Sequence, residues 1–248
     1  MQHIEDVKEY WNLRAKGFSD AVEEELSQES AEEWREIFQK TIGTTSLDVL
    51  DDGMGPGFFT VILNQLGHRV TAIDYSEQMI EQAKQRFRQM KIDAKVMQMD
   101  AQNLKFADES FDVVVSRNVI WNLDDPSRAY NEMYRVLRPG GKIIVSDGNM
   151  YLYHHDEAYA KERERYMQLQ ETISGDEGLH RKHNKDRVDF SIIEKIAEDL
   201  PMSYERRPQW DFNELIMRGF YDVHVSVNGG KLPQGFIIIA EKRSLPRA

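Results

Sequence analysis

The stretch Leu47-Asp48-Val49-Leu50-Asp51-Asp52-Gly53-Met54-Gly55-Pro56-Gly57-Phe58-Phe59-Thr60 decides the fold. A short apolar run ends in acids, glycine follows at every second position, and an apolar helical pattern begins at Phe58. Alternate glycines let the backbone turn sharply and let a ligand come closer than a Cβ would allow. The helix expected over about Phe58 to Leu66 points its free N–H groups back at that turn. A strand, a tight turn and a helix N-terminus thus frame a pocket for a small ligand. The bland alternative is a turn whose glycines serve geometry alone.

Outward from that stretch, strand and helix alternate, the mark of a parallel sheet covered on both faces. Strands are expected at Leu47–Asp51, Arg69–Asp74, Ala94–Gln98, Phe111–Ser116 and Lys142–Asp147. Ser76 caps one intervening helix, and Asp125-Pro126 opens another that Pro139-Gly140-Gly141 ends. Toward the N-terminus, a helix from Ile4 to about Asp20 carries Val7, Tyr10, Trp11 and Leu13 near one face. A second starts at Ser30, with Glu33 completing a capping box. The acidic Glu23-Glu24-Glu25 between them suits a solvated face. After the fifth strand the alternation stops for about sixty residues, a long connection of the kind that is usually functional or disordered. It holds a helix from about Asp156 to Ile173, a basic loop over 180–187 and a short helix near Ser191–Leu200. Asp211 then caps a helix to Gly219. Strands at Asp222–Val227 and Phe236–Lys242, joined through Asn228-Gly229-Gly230, form an antiparallel pair.

The chain of 248 residues is one α/β unit with room for an embellishment. Its division is 1–43 for the N-terminal helices, 44–148 for the core, 149–210 for a helical lid and 211–248 for the closing helix and strand pair. A net charge of −11 disfavours nucleic acid as a partner. With no cysteine there is neither a disulfide nor a thiolate metal site, which suits the cytoplasm. No apolar run approaches the roughly 20 residues that span a bilayer. Met1-Gln2-His3-Ile4-Glu5-Asp6 has no signal-peptide pattern.

Asp74 ends the second strand, where a carboxylate accepts from ribose hydroxyls. Met99-Asp100-Ala101 follows the third, Phe111 to Val119 spans the fourth and leads into Trp121-Asn122-Leu123, and Leu137-Arg138-Pro139-Gly140-Gly141 precedes the fifth. Together with Asp51-x-Gly53-x-Gly55-x-Gly57, these motifs resemble the class I S-adenosylmethionine (SAM)-dependent methyltransferases, in particular the small-molecule, ubiquinone/menaquinone-methyltransferase-like members. The resemblance runs from Asp48 to Asp147, and departs from the usual pattern at Asp52, where an apolar residue is common, and at Pro56. It implies a Rossmann-like seven-stranded, mostly parallel sheet with an antiparallel terminal hairpin, and SAM as cofactor. It implies a cofactor site at Asp51, Gly53, Met54, Gly55, Gly57, Asp74, Tyr75, Met79, Asp100, Ala101, Ser116 and Arg117, with Asp100 taking the adenine amine. The phrase around Tyr10-Trp11-Asn12 is similar to the leader helix that such enzymes fold over their cofactor.

Ser116-Arg117-Asn118-Val119 lacks the Asn/Asp-Pro-Pro-Tyr of enzymes that methylate planar nitrogens, which favours a small-molecule acceptor. Trp11, Trp121, Asn122, Tyr151 and Tyr153 are its candidate pocket. Methyl transfer needs mainly positioning and water exclusion, and a base only where the acceptor loses a proton. His154, His155 and Tyr10 are the candidate catalytic groups, the histidines having a solvated segment as their alternative. His154-His155-Asp156-Glu157 lacks a third converging ligand, so no metal is expected. The alternatives to a methyltransferase are a SAM-binding regulator without chemistry, and a nicotinamide oxidoreductase, which Phe58 disfavours where that fingerprint has glycine. A monomer or a homodimer is expected.

Overall fold

The structure is a computed structural model and describes residues 3–174, 182–184, 187–228 and 235–244. Seven strands form one sheet: β1 (Asp48–Asp52), β2 (Arg69–Asp74), β3 (Ala94–Gln98), β4 (Phe111–Arg117), β5 (Leu137–Gly148), β6 (Phe220–Asn228) and β7 (Gly235–Lys242). Their order is β3-β2-β1-β4-β5-β7-β6. The first five pair in parallel, while β7 is antiparallel to β5 and β6. The expected sheet is observed. Of the expected turn, Gly229 and Gly230 lie outside the described residues. The chain winds outward from β1 to β3 and then returns to place β4 on the other side of β1. That reversal opens a crevice at the carboxyl ends of β1 and β4, where open α/β sheets take their ligands.

Alternation along β1 decides which face each acid serves. Val49 belongs to the core cluster that α2 (Glu29–Ile42), α3 (Phe58–Gln65) and α4 (Glu77–Met90) cover. Leu50 belongs to the opposite cluster, under α5 (Pro126–Val136), α7 (Ser191–Ala197) and α8 (Gln209–Met217). By the same period of two, Asp51 and Asp52 go to opposite faces. The long α1 (Ile4–Glu25) has Val7 and Tyr10 in one cluster and Val22 in the other. It therefore crosses from one layer to the other.

Two caps form as expected: Ser76 Oγ accepts from Met79 N at 3.1 Å, and Asp125 Oδ1 from Arg128 N at 2.9 Å. Two others do not. α2 begins at Glu29 after Gln28, and Ser30 Oγ reaches back to Glu25 O instead of closing a capping box. α8 begins at Gln209, so Asp211 lies inside it, fully buried. The first helix runs five residues past Asp20, and Glu24 and Glu25 do not form the expected solvated face. Glu25 pairs with Arg117 at 2.6 Å, and Glu24 meets Lys182 and His183, each at 2.8 Å. Pro139-Gly140-Gly141, expected to end a helix, already belongs to β5, which begins at Leu137 and has an irregularity opposite Phe111 and Val113.

The segment after β5 is pinned at both ends. Asn149 Nδ2 donates to Arg207 O at 2.8 Å, and Arg207 N donates to Asn149 Oδ1 at 2.9 Å. Arg207 itself is fully buried between Asp147 (3.1 Å) and Asp211 (2.6 Å), and Tyr130 Oη donates to Asp211 at 2.7 Å. Burial opposes the guanidinium's charge, but the two carboxylates outweigh it and raise its pKa. α6 (Glu157–Ser174) leaves this root, with Tyr159 Oη donating to Asn149 O at 3.0 Å. Of the basic loop expected over 180–187, residues 180, 181, 185 and 186 lie outside the described residues.

Candidate active site

A cavity of about 370 Å³ lies at the switch point. One end is built by the strand termini and the other by aromatic side chains. At the strand end, β1 turns through Gly53 (φ +75°) and Gly55 (φ +52°) into α3. A Cβ on Gly53 would stand 2.2 Å from Val119 Cγ2, so the turn and the chain after β4 touch backbone to side chain. A Cβ on Gly55 would meet only Phe18 Cε1, at 3.6 Å. Gly55 is thus held glycine by its backbone angle and by the space it leaves open, not by protein crowding. Gly57 does not line the cavity. A Cβ there would lie 2.5 Å from Phe87, so this glycine serves helix packing.

Asp74 closes β2 and anchors the turn. Its Oδ2 accepts from Gly55 N and its Oδ1 from Ser76 N, both at 2.8 Å. Each carboxylate oxygen keeps a second lone pair for a ligand. Burial raises its pKa to about 6 against the opposing pull of those N–H groups. Asp100 Oδ1 accepts from Gln102 N (2.8 Å) and Gln102 Nε2 (3.0 Å), leaving Oδ2 outside those bonds. Tyr75, Met79 and Ala101 line the same wall. Asp51 and Met54 face a smaller recess of about 50 Å³, which shares Gly53, Gly55 and Arg117 with the main cavity. Asp51 Oδ2 accepts from Thr60 Oγ1 at 2.6 Å, and burial raises its pKa to about 7. Arg117 lies over the Phe58 ring at 4.4 Å while paired with Glu25. Ser116 is fully buried and borders neither space.

At the aromatic end, Trp11 meets Trp121 edge-on at 6.3 Å, and Trp121 meets Tyr151 at 5.2 Å. Tyr153 and Asn122 complete the expected acceptor wall, and Tyr10, a candidate catalytic group, lines the same space. The Asn122 amide is held by Val119 O at 2.8 Å. Burial pushes the Tyr10 hydroxyl up to about 12. It therefore keeps its proton at neutral pH and offers a donor, not a base. The histidines are placed elsewhere. His154 stacks on Tyr151, and His155 stacks on Tyr204 with its Nε2 against Glu198 O. Neither lines the cavity.

Sequence reasoning missed Phe18, Ser76, Phe190, Glu194 and Asp52, all on the cavity wall. Phe18 stands seven residues after Trp11, two helical turns on the same face, so periodicity could have found it. Phe190 and Glu194 come from a distant segment whose docking leaves no local signal. Among the described residues no cluster of histidine and carboxylate side chains could hold a metal.

Residues 50–145 match the family model described as "Methyltransferase domain". The chain is similar to the phosphatidylethanolamine N-methyltransferase of Cereibacter sphaeroides, at 30% identity over 62% of this chain and 73% of that protein. The chain belongs to the class I SAM-dependent methyltransferases. It is also 34% identical to a ubiquinone/menaquinone biosynthesis C-methyltransferase of Desulfotalea psychrophila, over 53% of this chain and 54% of that one. The chain thus spans about half the length of that relative. Among solved structures it resembles the magnesium protoporphyrin IX methyltransferase of Synechocystis, at 17% identity and a TM-score of 0.57, over 88% of this chain and 84% of that one. That likeness concerns the fold. SAM is the family's cofactor, and the open space over Gly55 beside two buried acids fits it.

Proposed function

We propose that the chain transfers a methyl group from SAM to a small-molecule acceptor by in-line displacement. The observation that carries this is the continuity of the cavity, in which the strand-end acids and the ring of aromatic side chains border a single space. When bound, SAM supplies an electrophilic methyl on a positively charged sulfur. An electron pair of the acceptor would form the new bond to that carbon while the carbon–sulfur bond breaks and leaves its electrons on sulfur.

The chain's own residues do the positioning. Asp74, already fixed by Gly55 N and Ser76 N, presents its remaining lone pairs to the ribose hydroxyls. Asp100 presents Oδ2 to the adenine amine, and Asp51 with Arg117 brackets the amino acid end in the smaller recess. Trp11, Trp121, Tyr151 and Tyr153 confine the acceptor and exclude water from the reacting atoms. An acceptor that must lose a proton has the Glu194 carboxylate on the same wall. The relatives' names cover a lipid amine, quinones and a protein-bound malonyl ester, so acceptor chemistry varies on this frame.

Incubation with methyl-labelled SAM and an extract of cellular metabolites tests the proposal. Label should enter a low-mass fraction that resists protease and nuclease. Label only in protein or nucleic acid, or none at all despite bound SAM, contradicts it.

A further inference from the structure

β1 ends in two acids with different surroundings. Asp51 is bonded to Thr60, as described. Asp52 faces the other layer, is 0% exposed, and neither of its carboxylate oxygens has a hydrogen-bond partner. It lines the main cavity. Leaving a buried carboxyl without a partner is costly, and an apolar side chain there would remove the cost. Nothing in the packing of β1 calls for the acid. Both oxygens are closed off from the free space of the cavity, so what a ligand there can offer the acid is charge and not a hydrogen bond.

The charges around Asp52 narrow the ligand. Asp51 lies beside it on β1, Asp74 at the end of β2, Asp100 after β3, and Glu132 on α5. Glu132 is already paired with Arg135 at 2.8 Å. The cations on the cavity wall are Lys8 and Arg14 of α1, Arg117 of β4 and Arg163 of α6. Among the described residues none of them forms an ion pair with Asp52, and Arg117 is committed to Glu25. A group that has only acids as its closest charged neighbours and no donor from the protein is suited to a cation.

We infer that Asp52 is a specificity-determining residue that recognises the positive charge of the methyl donor and so favours SAM over its neutral thioether product. This rests on the SAM reading above. Before binding, the carboxyl is protonated: burial, and then the negative charges of Asp51, Asp100 and Asp74, push its pKa up to about 8. As the donor binds, Asp52 loses that proton to solvent and its carboxylate faces the sulfonium charge. After methyl transfer the sulfur is neutral, and Asp52 takes one proton back. Product release is then favoured by the charge that the reaction has just removed.

A group whose pKa is about 8 in the free protein and lower in the complex makes binding tighten as pH rises up to about 8. The thioether product, S-adenosylhomocysteine, lacks that dependence on Asp52. Asp51 and Asp74 also hold raised pKa values and titrate nearby, so the wild-type profile must be compared with that of a variant.

Titration calorimetry with SAM and with S-adenosylhomocysteine, at pH 6.5 and 8.5, in buffers of different ionisation enthalpy, tests the inference. For the wild type, the preference for SAM over the product should grow about tenfold or more across that range, the equivalent of one unit of pKa change. SAM, and not the product, should release a proton through Asp52 on binding. Asp52→Asn, which keeps the shape, should lose both effects while still binding the product. A wild-type preference that does not change with pH overturns the inference, and needs no variant to fold. An Asp52→Asn protein with the wild-type profile also overturns it and assigns the linkage to Asp51 or Asp74. Failure of the folded wild type to bind either compound at any pH would sink the SAM reading itself.

Discussion

At the scale of single residues, Asp52 also bears on stability. Its native carboxyl holds a proton to about pH 8, whereas in an unfolded chain aspartate ionises near 3.9. Between those values the native state binds more protons, so this group lowers stability as pH rises. Asp52→Asn should therefore gain on the wild type as pH rises through that range, by up to about 1.4 kcal/mol per pH unit. Urea unfolding of both proteins at pH 5 and pH 9 measures it, and parallel pH profiles would contradict the account. Asp74 bears on binding. Asp74→Ala removes the acceptor of Gly55 N as well as the lone pairs offered to ribose, and should weaken SAM by roughly 1.5–3 kcal/mol. Asp74 was readable from its place at a strand end. The donors it accepts from in the protein were not, because Gly55 N comes from the glycine turn after β1 and Ser76 N from the start of the next helix.

Among elements, α1 is the one whose role depends most on contacts far apart in sequence. Arg86 of α4 reaches both Pro56 O in the glycine turn and Ser19 O in α1, each at 2.6 Å. Asn12 Oδ1 accepts from Ser76 Oγ at 2.6 Å, tying α1 to the start of α4. These bonds hold Trp11 and Phe18 over the cavity. Arg86→Met keeps the stem but loses the charged bonds, and should speed SAM dissociation about tenfold, the effect of ~1.4 kcal/mol. Stopped-flow displacement by excess product measures the rate, and an unchanged rate in a folded variant would detach α1 from cofactor retention. The helix itself was apparent from Val7, Tyr10 and Trp11. Its length was not, because Glu24 and Glu25 look solvated until Arg117 and Lys182 are brought to them by the fold. Asp211 misled for a related reason: an acid before an apolar run suggests a cap, yet its partner is Arg207 four residues back.

For the whole molecule, the parallel run of strands and the closing antiparallel pair followed from alternation and turn residues, and the glycine turn marked the pocket; the order of the strands, and with it the switch point, did not follow from them. The join between the core and the segment after β5 did not, since it depends on Asn149 and Arg207, 58 residues apart. Arg207→Met would leave Asp147 and Asp211 buried without their cation, at a cost of roughly 3–5 kcal/mol. A thermal midpoint close to that of the wild type would contradict that role. Residues 149–210 remain a proposed cover, fixed at its root and bearing Tyr151, Tyr153, Phe190 and Glu194 on the cavity wall. Hydrogen exchange should slow in this segment when S-adenosylhomocysteine binds. Equal exchange with and without it would mark a permanent structural element.

We propose that the turn at Gly53 and Gly55 and the cavity beside it hold SAM. Calorimetry of SAM and NAD against the wild type and Gly55→Val tests it most directly. Valine at φ +52° is strained, and its side chain would enter the space that the cofactor needs. The account predicts SAM binding to the wild type, none to a folded Gly55→Val protein, and no binding of NAD to either. Unchanged SAM affinity in a folded Gly55→Val protein, or NAD binding in place of SAM, would contradict it.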